Sequence, residues 1–430
     1  MCDTPQRPYR RHLLAVGLAA TFAPWAAPLA RSATNSVAAL ADGTGAGARF
    51  GTEGRLVVVF LRGAYDGLSA LVPYRDAAYY RLRPTIAIAQ SDATPLDETF
   101  GLAPALKPLL PLWQAGVLAV VPAAGSPDPT RSHFDAQHHW ETGRPGVSSA
   151  APGWLNRLAG WGGDGATHAL GVGEANPQIL AGPAPVQLVA RGQAATRAGV
   201  LADERSRAAV MRLYGGSDAL AQRFQSGASS RLQTSRTLMS EEGGRAMKGE
   251  GINTGSNGAQ GSQGLALDAQ HLGTLMRANP ALRLGFLSAG GWDTHANQGA
   301  ARGALATNLG NLAQALLQLR RDFDRPDDVV LVCSEFGRTT AENGTRGSDH
   351  GHGNALWLLG NRVQGGRWHG AWQGLEPAQL HEGRDLPVHH DFRAVLAQVL
   401  TRSLGVSRSA ALSLFADMQW DTRLDALMRS

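Results

Sequence analysis

The residues best suited to chemistry gather in the last third of the chain. An apolar run, Val329-Val330-Leu331-Val332-Cys333, opens into Ser334-Glu335-Phe336-Gly337-Arg338-Thr339, and further on the chain reads Gly347-Ser348-Asp349-His350-Gly351-His352-Gly353-Asn354. Carboxylate oxygens and imidazole nitrogens together form the ligand set of zinc and manganese. The glycines around them let the backbone approach an ion closely. A second pair sits in Gly290-Gly291-Trp292-Asp293-Thr294-His295. Asp293 and His295 are two apart, so in extended backbone their side chains point the same way and can chelate one ion. The competing reading makes Asp293 a helix cap with His295 packed beneath it. Asp349, His350 and His352 offer one carboxylate and two imidazoles, or else form a solvated turn. Glu335 follows a run too apolar to hold a free charge, so its carboxylate must reach water, a cation, a ligand or Arg338.

A different chemistry is available in Thr130-Arg131-Ser132-His133-Phe134-Asp135-Ala136-Gln137, where a loop turns into an expected helix. Ser132 is either the helix N-cap or a nucleophile whose hydroxyl is activated by a metal, with Arg131 holding an anion. His138, His139 and Trp140 either line the pocket or pack, and His389 and His390 read as structural.

These groups need elements to position them. Leu56–Leu61, Val117–Val121, Leu284–Leu287, Val329–Cys333 and Ala355–Leu359 are continuous apolar runs, the mark of strands buried on both faces of a mostly parallel sheet. Residues 299–322 read as a helix with Leu305, Leu309, Leu312, Leu316 and Leu319 on one face. Strand, helix and strand in that order predict a three-layer α/β/α sandwich with a mostly parallel central sheet. Such sheets carry their chemistry at the carboxyl ends of strands, and Asp66, the Ser126–His133 segment, Asp293 with His295, and Glu335 all follow strands. Residues 225–264, rich in Gly, Ser, Gln and Asn, read as a flexible insertion.

The 430 residues are 43% hydrophobic and 17% charged, enough apolar material for a sizeable core. The formal charge is +5, but Arg7, Arg10, Arg11 and Arg31 crowd the front, and no basic run interleaves with aromatics. Nucleic acid is therefore not expected as a partner. Arg10-Arg11 precede a short alanine-rich apolar stretch broken by Pro24 and Pro28. That layout predicts a twin-arginine export signal over residues 1–33, a linker over 34–54 and a single domain over 55–430. The stretch is too short for a stable membrane span, so a periplasmic or extracellular destination is expected, with the twin-arginine machinery as a partner. Of two cysteines, Cys2 lies in the signal and Cys333 in a buried strand, leaving no disulfide.

At Phe60–Leu68, Arg131–Gln137, Gly291–His295, Ser334–Thr339 and Ser348–Asn354 the chain resembles the bacterial secreted proteins grouped as domain of unknown function 1501. That family is in turn similar to the alkaline phosphatase and sulfatase superfamily. The resemblance implies an alkaline-phosphatase-like core and a divalent metal, zinc or manganese, with ligand roles falling on Asp66, on Asp293 and His295, and on Glu335 with His350 or His352; Asp349 joins the candidate ligands from its own place in the Asp349–His352 cluster. It implies Ser132 as nucleophile, with Thr130 as second choice. The implied function is an exported metal-dependent hydrolase or transferase acting on small phosphate or sulfate esters. The other reading is a non-catalytic envelope protein that keeps the fold and one structural metal.

Overall fold

The computed structural model describes residues 48–144, 151–241, 259–415 and 417–430. In chain order its strands are β1 (Leu56–Leu61), β2 (Leu71–Val72), β3 (Thr94–Pro95), β4 (Gly101–Leu102), β5 (Leu118–Gly125), β6 (Ala169–Val172), β7 (Val186–Val189), β8 (Leu284–Ala289), β9 (Val329–Cys333), β10 (Asn354–Gly360), β11 (Arg367–Trp368) and β12 (His390–Asp391). β2, β4 and β3 form a small separate sheet. The main sheet has the order β11-β5-β10-β9-β1-β8-β6-β7, with β12 also on β5. Its pairings are parallel except where β10 runs antiparallel between β5 and β9.

Along β1 the side chains alternate between two cores. Val57, Val59 and Leu61 join a cluster built with the helices Leu265–Ala278 and Ala304–Asp322. Leu56, Val58 and Phe60 join a second, built with the helices Trp154–Ala159, Phe392–Ser403 and Arg408–Leu414. Both faces of the sheet are covered, which is why its strands read as unbroken apolar runs. The architecture is the three-layer α/β/α sandwich with a mostly parallel sheet.

Three boundaries differ from the sequence reading, each for a local reason. β5 runs through Pro122 to Gly125, because the strand breaks its register opposite Asn354 and Leu356 and Ala123 takes a positive φ of 48°. Proline is tolerated at such a bulge. The long leucine-faced helix starts at Ala304, not 299, because Gly299 and Gly303 have φ of 82° and 122°. Residues 225–241, expected within a flexible insertion, lie on the helix Ala219–Glu241, which buries mostly small residues such as Ala221 and Ala228 beside Leu238. So small an apolar face leaves little periodic signal. The rest of that insertion up to residue 258 and the export signal lie outside the described residues. Of the expected linker, residues 48–54 pack on the body, where Gly51 N–H donates to the Leu404 carbonyl at 2.8 Å.

The orientation of β10 matters most for placing the chemically competent loops. Because it is antiparallel, it starts at the edge where β1, β8 and β9 end, with Asn354 near Ala124 at the end of β5. The loop before it, Gly347–Gly353, therefore joins the carboxyl edge of the sheet. A parallel strand there would have started at the opposite edge.

Candidate metal centre

At this edge three imidazoles are brought to one carboxylate. His133 opens the helix His133–Thr142, whose N-cap is Ser132. Asp293 and His295 stand in the loop after β8, and His350 in the loop before β10. His295 Nε2 lies 2.9 Å from Asp293 Oδ1 and His350 Nε2 lies 3.4 Å from the same oxygen. His133 Nε2 lies 3.6 Å from Asp293 Oδ2, an ion-pair distance too long for a hydrogen bond. Ligand atoms of His133, Asp293 and His350 all fall within 4.8 Å of one another.

Each ring is oriented from behind through Nδ1. His133 Nδ1 is 2.8 Å from Glu335 Oε1, His295 Nδ1 is 3.0 Å from Asp349 Oδ1, and His350 Nδ1 is 2.8 Å from the Arg131 carbonyl oxygen. A carbonyl or an ionised carboxylate can only accept, so each Nδ1 carries the hydrogen. All three Nε2 lone pairs are thereby aimed inward. Two of them, on His295 and His350, face each other at 2.9 Å. His133 Nε2 is buried without a hydrogen-bond partner. Facing lone pairs repel unless a proton or a metal cation lies between them, so these residues fit a divalent cation. Acceptors behind ligating histidines are the usual means of fixing tautomer and ring orientation in metal sites.

The charges agree. Asp293, Glu335 and Asp349 place three carboxylates here against the Arg338 guanidinium, which reaches Asp293 Oδ1 at 2.6 Å. Burial works against the charge on Asp293, but His133, His350 and Arg338 outweigh it and hold its pKa far below the usual carboxylate range. Burial likewise opposes the Glu335 charge, and His133 and Gln137 outweigh it. Asn343 and His295 keep Asp349 low. Burial alone would lower His133, yet Asp293 and Glu335 push it up to about 9. Without a metal this position draws a proton, as an excess of negative charge requires. Exposure is graded across the site: Glu335 is fully buried, whereas His295 and Asp349 are 43% and 56% exposed. The site is open to solvent on the His295 side.

The residues singled out from the sequence separate into groups. Asp293, His295 and His350 are brought together, while Glu335 and Asp349 stand behind the rings. Glu335 accepts from Gly63 N–H, Gln137 Nε2 and Ser334 Oγ at 2.8, 2.9 and 2.8 Å, and does not meet Arg338. Asp66 stands apart as an N-cap, ion-paired to Arg83 at 2.6 Å and bonded to Ser69 and Gln298. His352 packs on His381 with ring centroids 4.6 Å apart, and burial followed by His381 lowers its pKa to about 4. Ser132 Oγ accepts from Asp135 N–H at 3.4 Å. The Arg131 guanidinium is paired with Glu382 and Asp385 at 2.7 and 2.8 Å. His390 is buried between Asp421 and the Ala371 N–H.

Sequence reasoning missed His133 as a donor. The available signal was helical spacing: His133 and Gln137, one turn apart, both reach Glu335 Oε1. It also missed Gly63, whose φ of 108° and lack of a Cβ let the Asp293 backbone come close.

Fold and site together define an α/β/α protein with a candidate cation centre at the carboxyl edge of its sheet. The chain belongs to the family described as Protein of unknown function (DUF1501), whose model matches residues 120–413. No curated protein matches the sequence. Among solved structures, the C-terminal periplasmic domain of EptC from Escherichia coli, complexed with Zn, is 12% identical with a TM-score of 0.37, covering 87% of this chain and 89% of that one. The lipoteichoic acid synthase LtaP from Listeria monocytogenes is 9% identical with a TM-score of 0.37, covering 86% and 76%. A phosphonoacetate hydrolase from Sinorhizobium meliloti 1021 is 9% identical with a TM-score of 0.31, covering 66% and 57%. These likenesses are distant, and they assign no reaction to this chain.

Proposed function

We propose that this chain is an exported metal-dependent enzyme that hydrolyses or transfers phosphate or sulfate esters, with His133, Asp293, His295 and His350 holding one divalent cation. The observation that carries the metal is the grouping of His133, Asp293 and His350, with the His295 ring beside it, each imidazole pinned at Nδ1 by an acceptor and its Nε2 close to Asp293. Three imidazoles and a carboxylate suit zinc, with manganese second. When bound, such an ion supplies Lewis acidity, lowering the pKa of a hydroxyl and stabilising developing negative charge.

The chain's own groups do the rest. Glu335 keeps the hydrogen on His133 Nδ1, Asp349 does so for His295, and the Arg131 carbonyl does so for His350. Arg338 fixes Asp293. Ser132, next in chain to His133 and partly exposed, is the proposed nucleophile; its long contact to Asp135 N–H is readily given up. Arg131 has two carboxylates on its guanidinium, so its assigned part is to hold His350. The ester chemistry rests on the motif resemblance at Arg131–Gln137 and Ser334–Thr339. Export rests on the Arg10-Arg11 pattern, and no helix among the described residues is long and apolar enough to cross a membrane.

The test is metal analysis of purified protein coupled to a screen of aryl phosphates, phosphodiesters and aryl sulfates. About one zinc or manganese per chain is expected, lost in His295→Ala and His133→Ala, with turnover of one ester class lost in Ser132→Ala. Protein that never carries metal sinks the proposal. One observation favours a second reading, a non-catalytic envelope protein with a structural ion. Asp66 and Arg131, which ester cleavage would call upon, are neutralised by Arg83 and by Glu382 with Asp385. That reading predicts bound metal with no turnover on any ester.

A further inference from the structure

Asp66 follows β1 at the same edge as the cation centre, yet its carboxylate is directed elsewhere. It is 1% exposed and its oxygens meet Arg83 Nη1 at 2.6 Å, Ser69 Oγ at 2.8 Å and Gln298 Nε2 at 2.7 Å. Gln298 is fully buried, and its other end faces the two loops that carry ligands. Gln298 Oε1 accepts from Thr294 Oγ1 at 2.8 Å and from Ser348 Oγ at 2.8 Å. Thr294 lies between Asp293 and His295, and Ser348 precedes Asp349 and His350. One carboxamide thus joins a buried ion pair to both ligand loops. Its backbone adds a tie to the segment leading into the second loop, with Gln298 N–H donating to the Arg346 carbonyl at 2.9 Å. From below, Arg83 also donates to the carbonyls of Thr339 and Thr340, and Thr339 exchanges hydrogen bonds with Asp349.

We infer that Gln298 is a positioning residue that clamps the Asp293–His295 loop to the Ser348–His350 loop, and that Asp66 acts on the cation centre through Gln298 and Arg83 instead of binding the ion. The clamp rests on the proposed metal centre. Asp66 is a ligand in the role implied by the family resemblance, so the two accounts make different predictions. A buried amide has two ends of opposite character, and here each end finds its complement: NH2 on the carboxylate, C=O on two hydroxyls. Turning the amide over would set its oxygen against Asp66 and its NH2 against both hydroxyls. The clamp therefore has one orientation and transmits the position of Asp66 to both loops.

The experiment uses the full chain, stripped of metal and titrated with cobalt(II), reading affinity and the visible ligand-field spectrum, with urea denaturation of the metal-free protein alongside. Gln298→Ala and the milder Ser348→Ala are each expected to weaken cobalt binding about 10- to 100-fold, the scale for groups that orient ligands. Their spectra should change. Asp66→Asn, which keeps an acceptor for Arg83 and Gln298, should weaken binding less than His295→Ala does. Combined with Gln298→Ala it should add little, because both lie on one path. Ser348→Ala guards against Gln298→Ala failing to fold. Native-like affinity and spectrum in Ser348→Ala and Gln298→Ala would overturn the clamp while leaving the metal centre intact. Fully additive losses in the double variant, with Asp66→Asn as damaging as His295→Ala, would make Asp66 a ligand and overturn it as well. Wild-type chain that binds no cobalt would overturn the metal centre, and the clamp with it.

Discussion

Replacing Glu335 separates what its charge does from what its shape does. Glu335→Gln removes the charge and little else. The amide oxygen can accept from Gly63 N–H, Gln137 Nε2 and His133 Nδ1, which meet Oε1 at 2.8, 2.9 and 2.8 Å. The new NH2 can donate to Ser334 Oγ, 2.8 Å from Oε2. His133 then exchanges a charged acceptor for a neutral one and becomes a poorer donor to a metal. On the scale of such outer partners, zinc affinity falls about 10- to 100-fold, or about 1.4–2.8 kcal/mol. Glu335→Ala differs in kind, because it leaves the Gly63 N–H and His133 Nδ1 without their acceptor, at about 1–3 kcal/mol each. Together these reach about 2–6 kcal/mol, against a typical total stability of about 5–15 kcal/mol. The alanine variant should therefore unfold at far lower urea even without metal, whereas the glutamine variant keeps a near-native midpoint. Zinc competition against a chromogenic chelator and urea denaturation of the metal-free proteins measure the two effects. Equal zinc affinity in Glu335→Gln and wild type, or an alanine variant as stable as the glutamine one, would refute the reasoning.

The same contacts set other expectations. His133 has its pKa raised from 6.5 to about 9 in the folded state. Its contribution to metal-free stability is thus fully present below about pH 6.5 and is lost as pH rises through about 9. Urea midpoints of the stripped protein should fall across that window, and His133→Gln should abolish the trend. His352 runs the other way: its pKa is lowered to about 4, so its contribution is present above about pH 6.5 and lost as pH falls through about 4. His352→Gln should flatten the acid limb of the same curve. At Gly347 a Cβ would run into the backbone of Thr294 and His295. Gly347→Ala should therefore push the two ligand loops apart and weaken zinc binding by at least tenfold, about 1.4 kcal/mol, in the chelator assay. Arg83→Met leaves Asp66 buried and unpaired, which should cost about 3–5 kcal/mol, read as a lower urea midpoint at unchanged slope.

Much of the framework is legible along the chain. Unbroken apolar runs such as Leu56–Leu61 and Val329–Cys333 can only be strands buried on both sides, and the leucines from Leu305 to Leu319 can only face a core. Asp293, His295 and His350 stood out because glycine-flanked carboxylates and imidazoles after strands have few other uses. Less legible were elements with weak local signals: β5 continuing past Pro122, and a helix over residues 219–241 whose buried face is mostly alanine.

Sequence by itself determined the apolar strands such as Leu56–Leu61 and Val329–Cys333, the leucine-faced helix, and the loops that carry Asp293, His295, Asp349 and His350. Tertiary structure alone decided the partners. His133 meets Glu335 across 202 positions, and Asp66 meets Gln298 across 232. The antiparallel setting of β10 brings the loop of Asp349 and His350 to the edge where β1, β8 and β9 end. A local pattern reports that a charge must be compensated, since burial demands it. Which group does so depends on which loops converge at that edge. Glu335 accordingly became the support of a histidine, Asp66 the partner of an arginine, and His133 a donor.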